Sequence, residues 1–202
     1  MKLYDLNAAP NARRVRIFLA EKGLDIPKVE MDITKGENAT PDYLAKNPLG
    51  KMPVLELDDG TCIAESTAIC RYIEALHPEP PLFGRDTLER ALVEMWDRRM
   101  ELEVLIPTIH VFVHTHDFWK GRVEQNAAWG ESRRANVAKA FEWLDGELAG
   151  RDFVAGDSYT VADITLQCAV LLGKANKLRV PAELANLTRW WDSVAARPTA
   201  RA

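Results

Sequence analysis

Glu65 and Ser66 stand where an alternating strand-like stretch gives way to a helical one. A serine at a helix start offers its hydroxyl and a free N-terminal amide to a carboxylate, and the adjacent glutamate can meet an ammonium. The pair reads as a recognition point for a small molecule carrying both charges. Asn11, directly after Pro10 in the first turn of a helix, offers an NH2 that can donate to an anionic atom without titrating. His110 and His114 are spaced i, i+4 on the helix after Pro107, with His116 and Asp117 following, so two imidazoles share one face. They lack a defined third ligand and an HExxH-like base, so no metal is expected and the face is read as solvated or cleft-lining. Cys62, Cys70 and Cys168 are odd in number and scattered, with no CxxC pair. They build neither a disulfide framework nor a zinc set, and all three are read as small core fillers without a catalytic role.

The elements that position these residues fall into two halves. Lys2 to Leu6 reads as a strand, and Pro10 opens a helix with Val15, Phe18, Leu19 and Lys22 on one face, closed by Gly23. Val29, Met31 and Ile33 alternate with Glu30 and Asp32 as a second strand. A short helix is expected around Pro41 to Lys46. Pro53 to Leu57 and Thr61 to Glu65 form a hairpin around Asp58-Asp59-Gly60, and Ser66 caps a helix ending near His77-Pro78. After a proline-rich stretch the period becomes helical throughout, and all six tryptophans lie there. Val137, Phe141, Leu144 and Leu148 mark one helix, Trp96 to His116 forms another with a kink expected at Pro107, and Thr160 with Asp163 forms a capping box ahead of Ile164 to Leu172. The expected boundaries are an α/β domain over 1–80, a linker over 81–87 and an all-helical domain over 88–202.

Composition limits the partners. The 202 residues carry 26 basic and 30 acidic side chains, a formal charge of −4, which supplies no cationic surface for nucleic acid and no polybasic membrane patch. The N-terminus lacks the apolar core of a signal peptide, and no apolar run approaches the ~18 residues of a membrane span. A cytoplasmic protein is expected.

Four segments then coincide: Ala9-Pro10-Asn11-Ala12-Arg13-Arg14-Val15-Arg16, Asn47-Pro48-Leu49-Gly50-Lys51-Met52-Pro53-Val54-Leu55, Glu65-Ser66-Thr67-Ala68-Ile69, and the Thr160 capping box. Together they resemble a cytosolic glutathione S-transferase over nearly the whole chain, and most closely a bacterial and fungal branch without the usual catalytic Tyr, Ser or Cys. The resemblance implies a thioredoxin-like α/β N-terminal domain, an all-α C-terminal domain that contributes the electrophile site, and a homodimer. It also implies a cis bond at Met52-Pro53 that turns the Met52 backbone toward the cysteinyl backbone of glutathione. Glu65 and Ser66 would then hold the γ-glutamyl end, and Lys51 and Asn38 the glycyl carboxylate. Glutathione is the co-substrate, with no further cofactor, and the partner substrate is a small hydrophobic electrophile. Glutathione-dependent disulfide or peroxide reduction and a non-catalytic glutathione-binding module are the alternatives.

The chemistry requires a thiolate. Holding a thiol of intrinsic pKa ~8.5 mostly ionised near neutrality needs ~2.7 kcal/mol, whereas a helix N-terminus contributes at most ~2 kcal/mol. The position where related enzymes carry serine or cysteine is Ala9, which has no polar atom. Asn11 is the preferred donor, matching the Pro-Asn of amide-using relatives. A water held by His110 is a second candidate, and Tyr4, on the strand where tyrosine-type enzymes carry their residue, is a third.

Overall fold

Leu3 and Tyr4 point to opposite faces of strand β1 (Lys2–Asp5) and both are buried, so the strand is covered on both sides. It lies inside a four-stranded sheet of order β2-β1-β3-β4. Strand β2 (Lys28–Glu30) runs parallel to β1, whereas β3 (Val54–Glu56) and β4 (Cys62–Ala64) are antiparallel neighbours. A parallel pair needs a crossover, and helix α1 (Pro10–Glu21) supplies it. Pro10 suits the first turn, where its missing N–H has no helical partner to lose, and Gly23 at φ 66° takes the left-handed position beyond the C-terminus. Helix α2 (Pro41–Leu44) is capped by Thr40, and α3 (Ser66–Leu76) packs against α1. Beneath α2, Tyr4, Met31, Tyr43 and Val54 form one cluster, with the two tyrosine rings edge to face at 5.7 Å.

The computed structural model describes all 202 residues, which divide into Met1–Pro81 with Arg201–Ala202, and Leu82–Ala200. The first unit is the thioredoxin-like α/β arrangement expected from the sequence. The second strand is shorter than its alternation suggested. It stops at Glu30, and Asp32 Oδ1 accepts the Thr34 N–H at 2.8 Å, turning Ile33–Lys35 into a 3-10 turn. Local side-chain capture of the backbone outcompeted the ladder there.

The second unit is helical: α4 (Thr87–Arg99), α5 (Ile106–Thr115), α6 (Ala127–Glu147), α7 (Val161–Ala175) and α8 (Ala185–Ala195). Between α4 and α5, Met100–Leu105 is wound as a π-helix, and the Ile106 N–H donates to the Glu101 carbonyl. The distortion expected at Pro107 is therefore spread over the preceding turn, where a wider winding accommodates a residue with no N–H. Helix α7 is buried on nearly every side and forms the centre of this unit. Val137, Phe141 and Leu144 are buried on α6 as the period required, and Leu148 is buried at its C-terminal cap. Gly130 lets α6 approach α5, since a Cβ there would stand 2.6 Å from Thr115 Cγ2. Leu82 and Phe83, expected in the linker, are buried in the helical unit, where the Leu82 carbonyl accepts the Val161 N–H at 3.0 Å. No helix is long and apolar enough to cross a membrane.

Candidate functional site

Sheet register brings the sequence-derived residues of the first unit to one end. Tyr4 pairs with Val54, and Val54 pairs with Ala64. The end of β1, the start of β3 and the end of β4 are therefore neighbours. The β1–α1 connection, Met52-Pro53 and Glu65-Ser66 all emerge from that edge.

At α1 the helix start is bare. Ala9 occupies the cap position with extended backbone and no side-chain cap bond, so no side chain of the cap competes for the first-turn amides. Asn11 is half-buried in that turn, and its amide makes no hydrogen bond within the chain. The connection ahead of it is fixed from below: Arg16 Nη1 donates to both carboxylate oxygens of Asp5 at 2.7 and 2.9 Å, and Nη2 to the Asn7 carbonyl at 2.8 Å.

Met52-Pro53 is a cis peptide. The β3 ladder begins at Val54, so the Met52 backbone lies outside it. The preceding residue is tied down twice, because the Lys51 carbonyl accepts from Tyr43 Oη and from Asn47 Nδ2, each at 2.8 Å. Burial pushes the Tyr43 phenol up to about 12, so it stays a donor. The Lys51 side chain is exposed. Asn38 Nδ2 donates to the Gly50 carbonyl at 2.9 Å, bracing the same loop.

The start of α3 differs from expectation in one respect. Ser66 is the first helical residue and not the cap; the cap position falls on Glu65, which makes no side-chain cap bond. Glu65 is exposed and adopts φ 68°, ψ 116°, a conformation that a non-glycine residue holds only at a cost of order 1–3 kcal/mol. The Ser66 hydroxyl is buried and accepts from Arg14 Nη1 at 2.8 Å, while the same nitrogen reaches Thr67 Oγ1 at 3.2 Å.

Tyr4 donates its hydroxyl to Glu56 Oε2 at 2.9 Å. Glu56 pairs across the sheet with Lys2, one step toward the opposite end from the Tyr4–Val54 pair, so the phenol leans away from the edge just described. Lys46 first and Tyr4 second hold the Glu56 carboxyl down at about 2, which keeps it an acceptor.

His110 belongs to the helical unit, half-buried with its ring 5.9 Å from that of Trp129 and 6.1 Å from that of His114. Burial first, then His114 and Arg133, lowers its pKa and favours neutral imidazole. His114 Nδ1 accepts the Asn126 N–H at 3.2 Å and His116 Nδ1 the Phe118 N–H at 3.1 Å, so these rings serve the chain's own turns. No three His, Cys, Asp or Glu side chains converge as a metal site. Cys70 and Cys168 are buried, and Cys62 is half-buried against the Tyr4 cluster.

Residues 3–81 match the glutathione S-transferase N-terminal domain and residues 102–198 the C-terminal domain of the same name. The whole chain is 41% identical to glutathione S-transferase 2 of Saccharomyces cerevisiae and spans 88% of that protein. The chain belongs to the glutathione S-transferase family. Among solved structures, Gtt2 of Saccharomyces cerevisiae superposes with a TM-score of 0.94 at 40% identity, covering 100% of this chain and 99% of that one. A glutathione S-transferase domain-containing protein of Marinobacter aquaeolei gives 0.93 at 37%, covering 99% and 100%.

Within this glutathione S-transferase, four contributors to the sheet edge went unassigned in the sequence: Arg14, Asp5 with Arg16, Tyr43, and the backbone of Glu65. Arg14 and Arg16 lie inside the segment that carries the family resemblance. Of the three arginines in α1, Arg14 and Arg16 flank Val15 on the part of the helix that is buried, and a buried arginine requires partners. Nothing in residue type announces the positive φ of Glu65.

Proposed function

We propose that the protein binds glutathione at this sheet edge, stabilises its thiolate at the start of α1, and transfers it to a small hydrophobic electrophile lodged by the helical unit. The Met52 backbone pairs with the cysteinyl backbone, Ser66 and the first amides of α3 take the γ-glutamyl carboxylate, and Glu65 takes the ammonium. Lys51 attracts the glycyl carboxylate, and Asn38 holds its loop in place.

The observation that carries this reading is the strained, exposed Glu65 beside the buried, arginine-bonded Ser66, on the same edge as the uncapped start of α1. Backbone strain of this kind persists where a ligand-binding geometry requires it. Sulfur is activated there by first-turn amides together with the Asn11 NH2, with a water held by His110 as the alternative. The enzyme works as a cytoplasmic homodimer, which light scattering at assay concentration checks by returning twice the chain mass.

Titration calorimetry of glutathione into the protein tests the binding site. Ser66→Ala should weaken binding by about 1.5–3 kcal/mol, the value of a charge-assisted hydrogen bond. Unchanged affinity removes the assignment. A conjugation assay run beside a disulfide reductase assay separates transfer from reduction, and silence in both leaves a binding module.

A further inference from the structure

Arg14 is 1% exposed and Ser66 4%, so the guanidinium lies under the first turn of α3 and not in solvent. Its Nη1 donates to Ser66 Oγ at 2.8 Å and Thr67 Oγ1 at 3.2 Å. We infer that Arg14 is a positioning residue for carboxylate recognition: it fixes the Ser66 hydroxyl with its proton turned outward, toward the anionic end of the ligand. The inference rests on the proposed placement of glutathione and adds to it a residue that does not touch the ligand.

The argument is one of hydrogen-bond inventory. A serine hydroxyl has one proton and two lone pairs, whereas a guanidinium only donates. Once Arg14 occupies a lone pair of Ser66 Oγ, the proton cannot point back at Arg14 and must leave on another side. Donation into the oxygen also polarises the O–H, strengthening the bond it makes onward. Burial reduces the screening between the guanidinium and an anion at the α3 N-terminus. The bond to Thr67 locks the second residue of the same turn, so the two first amides of α3 keep a common direction.

A merely structural role, packing α1 against α3, is separated by a discrimination ratio. The probes are glutathione and 4-aminobutanoyl-cysteinylglycine, which lacks only the γ-glutamyl carboxylate, each titrated calorimetrically into the full chain. The parent should prefer glutathione by roughly 10- to 100-fold. In Arg14→Met this preference should fall to within about 3-fold of unity, with affinity for the shortened tripeptide little changed. Arg14→Lys, which keeps the charge and loses the fork, should fall in between. In a Ser66→Ala background, replacing Arg14 should change the ratio far less than in the parent. A parental ratio in Arg14→Met, or both affinities falling together, overturns the inference. Should Arg14→Met fail to fold, Arg14→Lys with and without Ser66→Ala decides it, full additivity of the two substitutions being the negative result. A parent with no preference between the tripeptides removes the carboxylate assignment of Ser66 itself, a failure of the proposed site.

Discussion

Arg16 closes on Asp5 with one guanidinium nitrogen within 2.9 Å of both carboxylate oxygens, and both side chains are at most 5% exposed. Because the same guanidinium also holds the Asn7 carbonyl, this pair joins the end of β1 to the turn that starts α1. It therefore sets where the bare helix start lies. Removing one partner strands a buried charge, which costs about 3–5 kcal/mol. Asp5→Ala should lower the unfolding free energy by that amount in a urea titration, with the double variant Asp5→Leu, Arg16→Met recovering a substantial part. A loss below about 1 kcal/mol for the single variant would show that the pair is solvated in practice.

The sequence was most legible where one local rule governs. Pro10 and Gly23 bracket α1, Asp58-Asp59-Gly60 turns the hairpin, and the Asp163 carboxylate bonds back to the Thr160 N–H at 2.9 Å. The candidate site residues were placed through their segments, since Asn11, Met52 and Glu65-Ser66 each sit at an element boundary. What escaped reading depends on partners distant in sequence. Arg14 meets Ser66 across 52 residues, and Tyr43 meets the Lys51 carbonyl through a fold that no periodicity encodes. The strand over Val29 to Ile33 was misjudged for the opposite reason: Asp32 turned the chain by a contact only two residues long.

Asp163 predicts a pH signature. It is fully buried and accepts from the Val154 and Thr160 amides and from Trp190 Nε1 at 2.8–2.9 Å. Desolvation nevertheless outweighs these bonds and pushes its carboxyl up from 3.8 to about 6. The folded state then holds the proton more tightly than the unfolded chain. Its contribution is fully present below about pH 4, declines as pH rises to about 6, and is lost above, an effect of order 3 kcal/mol. Denaturant titrations between pH 4 and 7 should show this decline in the parent and lack its Asp163 share in Asp163→Asn. Identical pH slopes in the two proteins would contradict it.

Tyr43 and Asn47 share one acceptor, the Lys51 carbonyl. Tyr43→Phe removes one donor while Asn47 still satisfies the oxygen, so the stability loss should be modest, about 1 kcal/mol. Adding Asn47→Ala leaves that carbonyl without either donor and frees the loop carrying Met52. The double variant should therefore raise the KM for glutathione well beyond the product of the single effects. Simple additivity in KM would mean that the loop is held elsewhere.

The source of thiolate stabilisation separates three side chains by one spectroscopic titration. A helix N-terminus contributes at most ~2 kcal/mol of the ~2.7 kcal/mol required, so a further donor is called for. Asn11 stands in the first turn with its amide uncommitted, whereas the Tyr4 hydroxyl is already given to Glu56. Asn11→Ala should accordingly raise the pKa of bound glutathione and lower turnover near neutral pH, with much less effect on glutathione affinity. Tyr4→Phe should leave that pKa in place. His110, whose pKa is lowered by its burial and then by His114 and Arg133, can hold a water as an acceptor; if that water removes the proton, His110→Ala and not Asn11→Ala produces the shift. The thiolate absorbance of bound glutathione, followed across pH in the three variants, reads the answer without any choice of electrophile. Parental titration in all three would assign the activation to the α1 amides that Ala9 leaves uncapped.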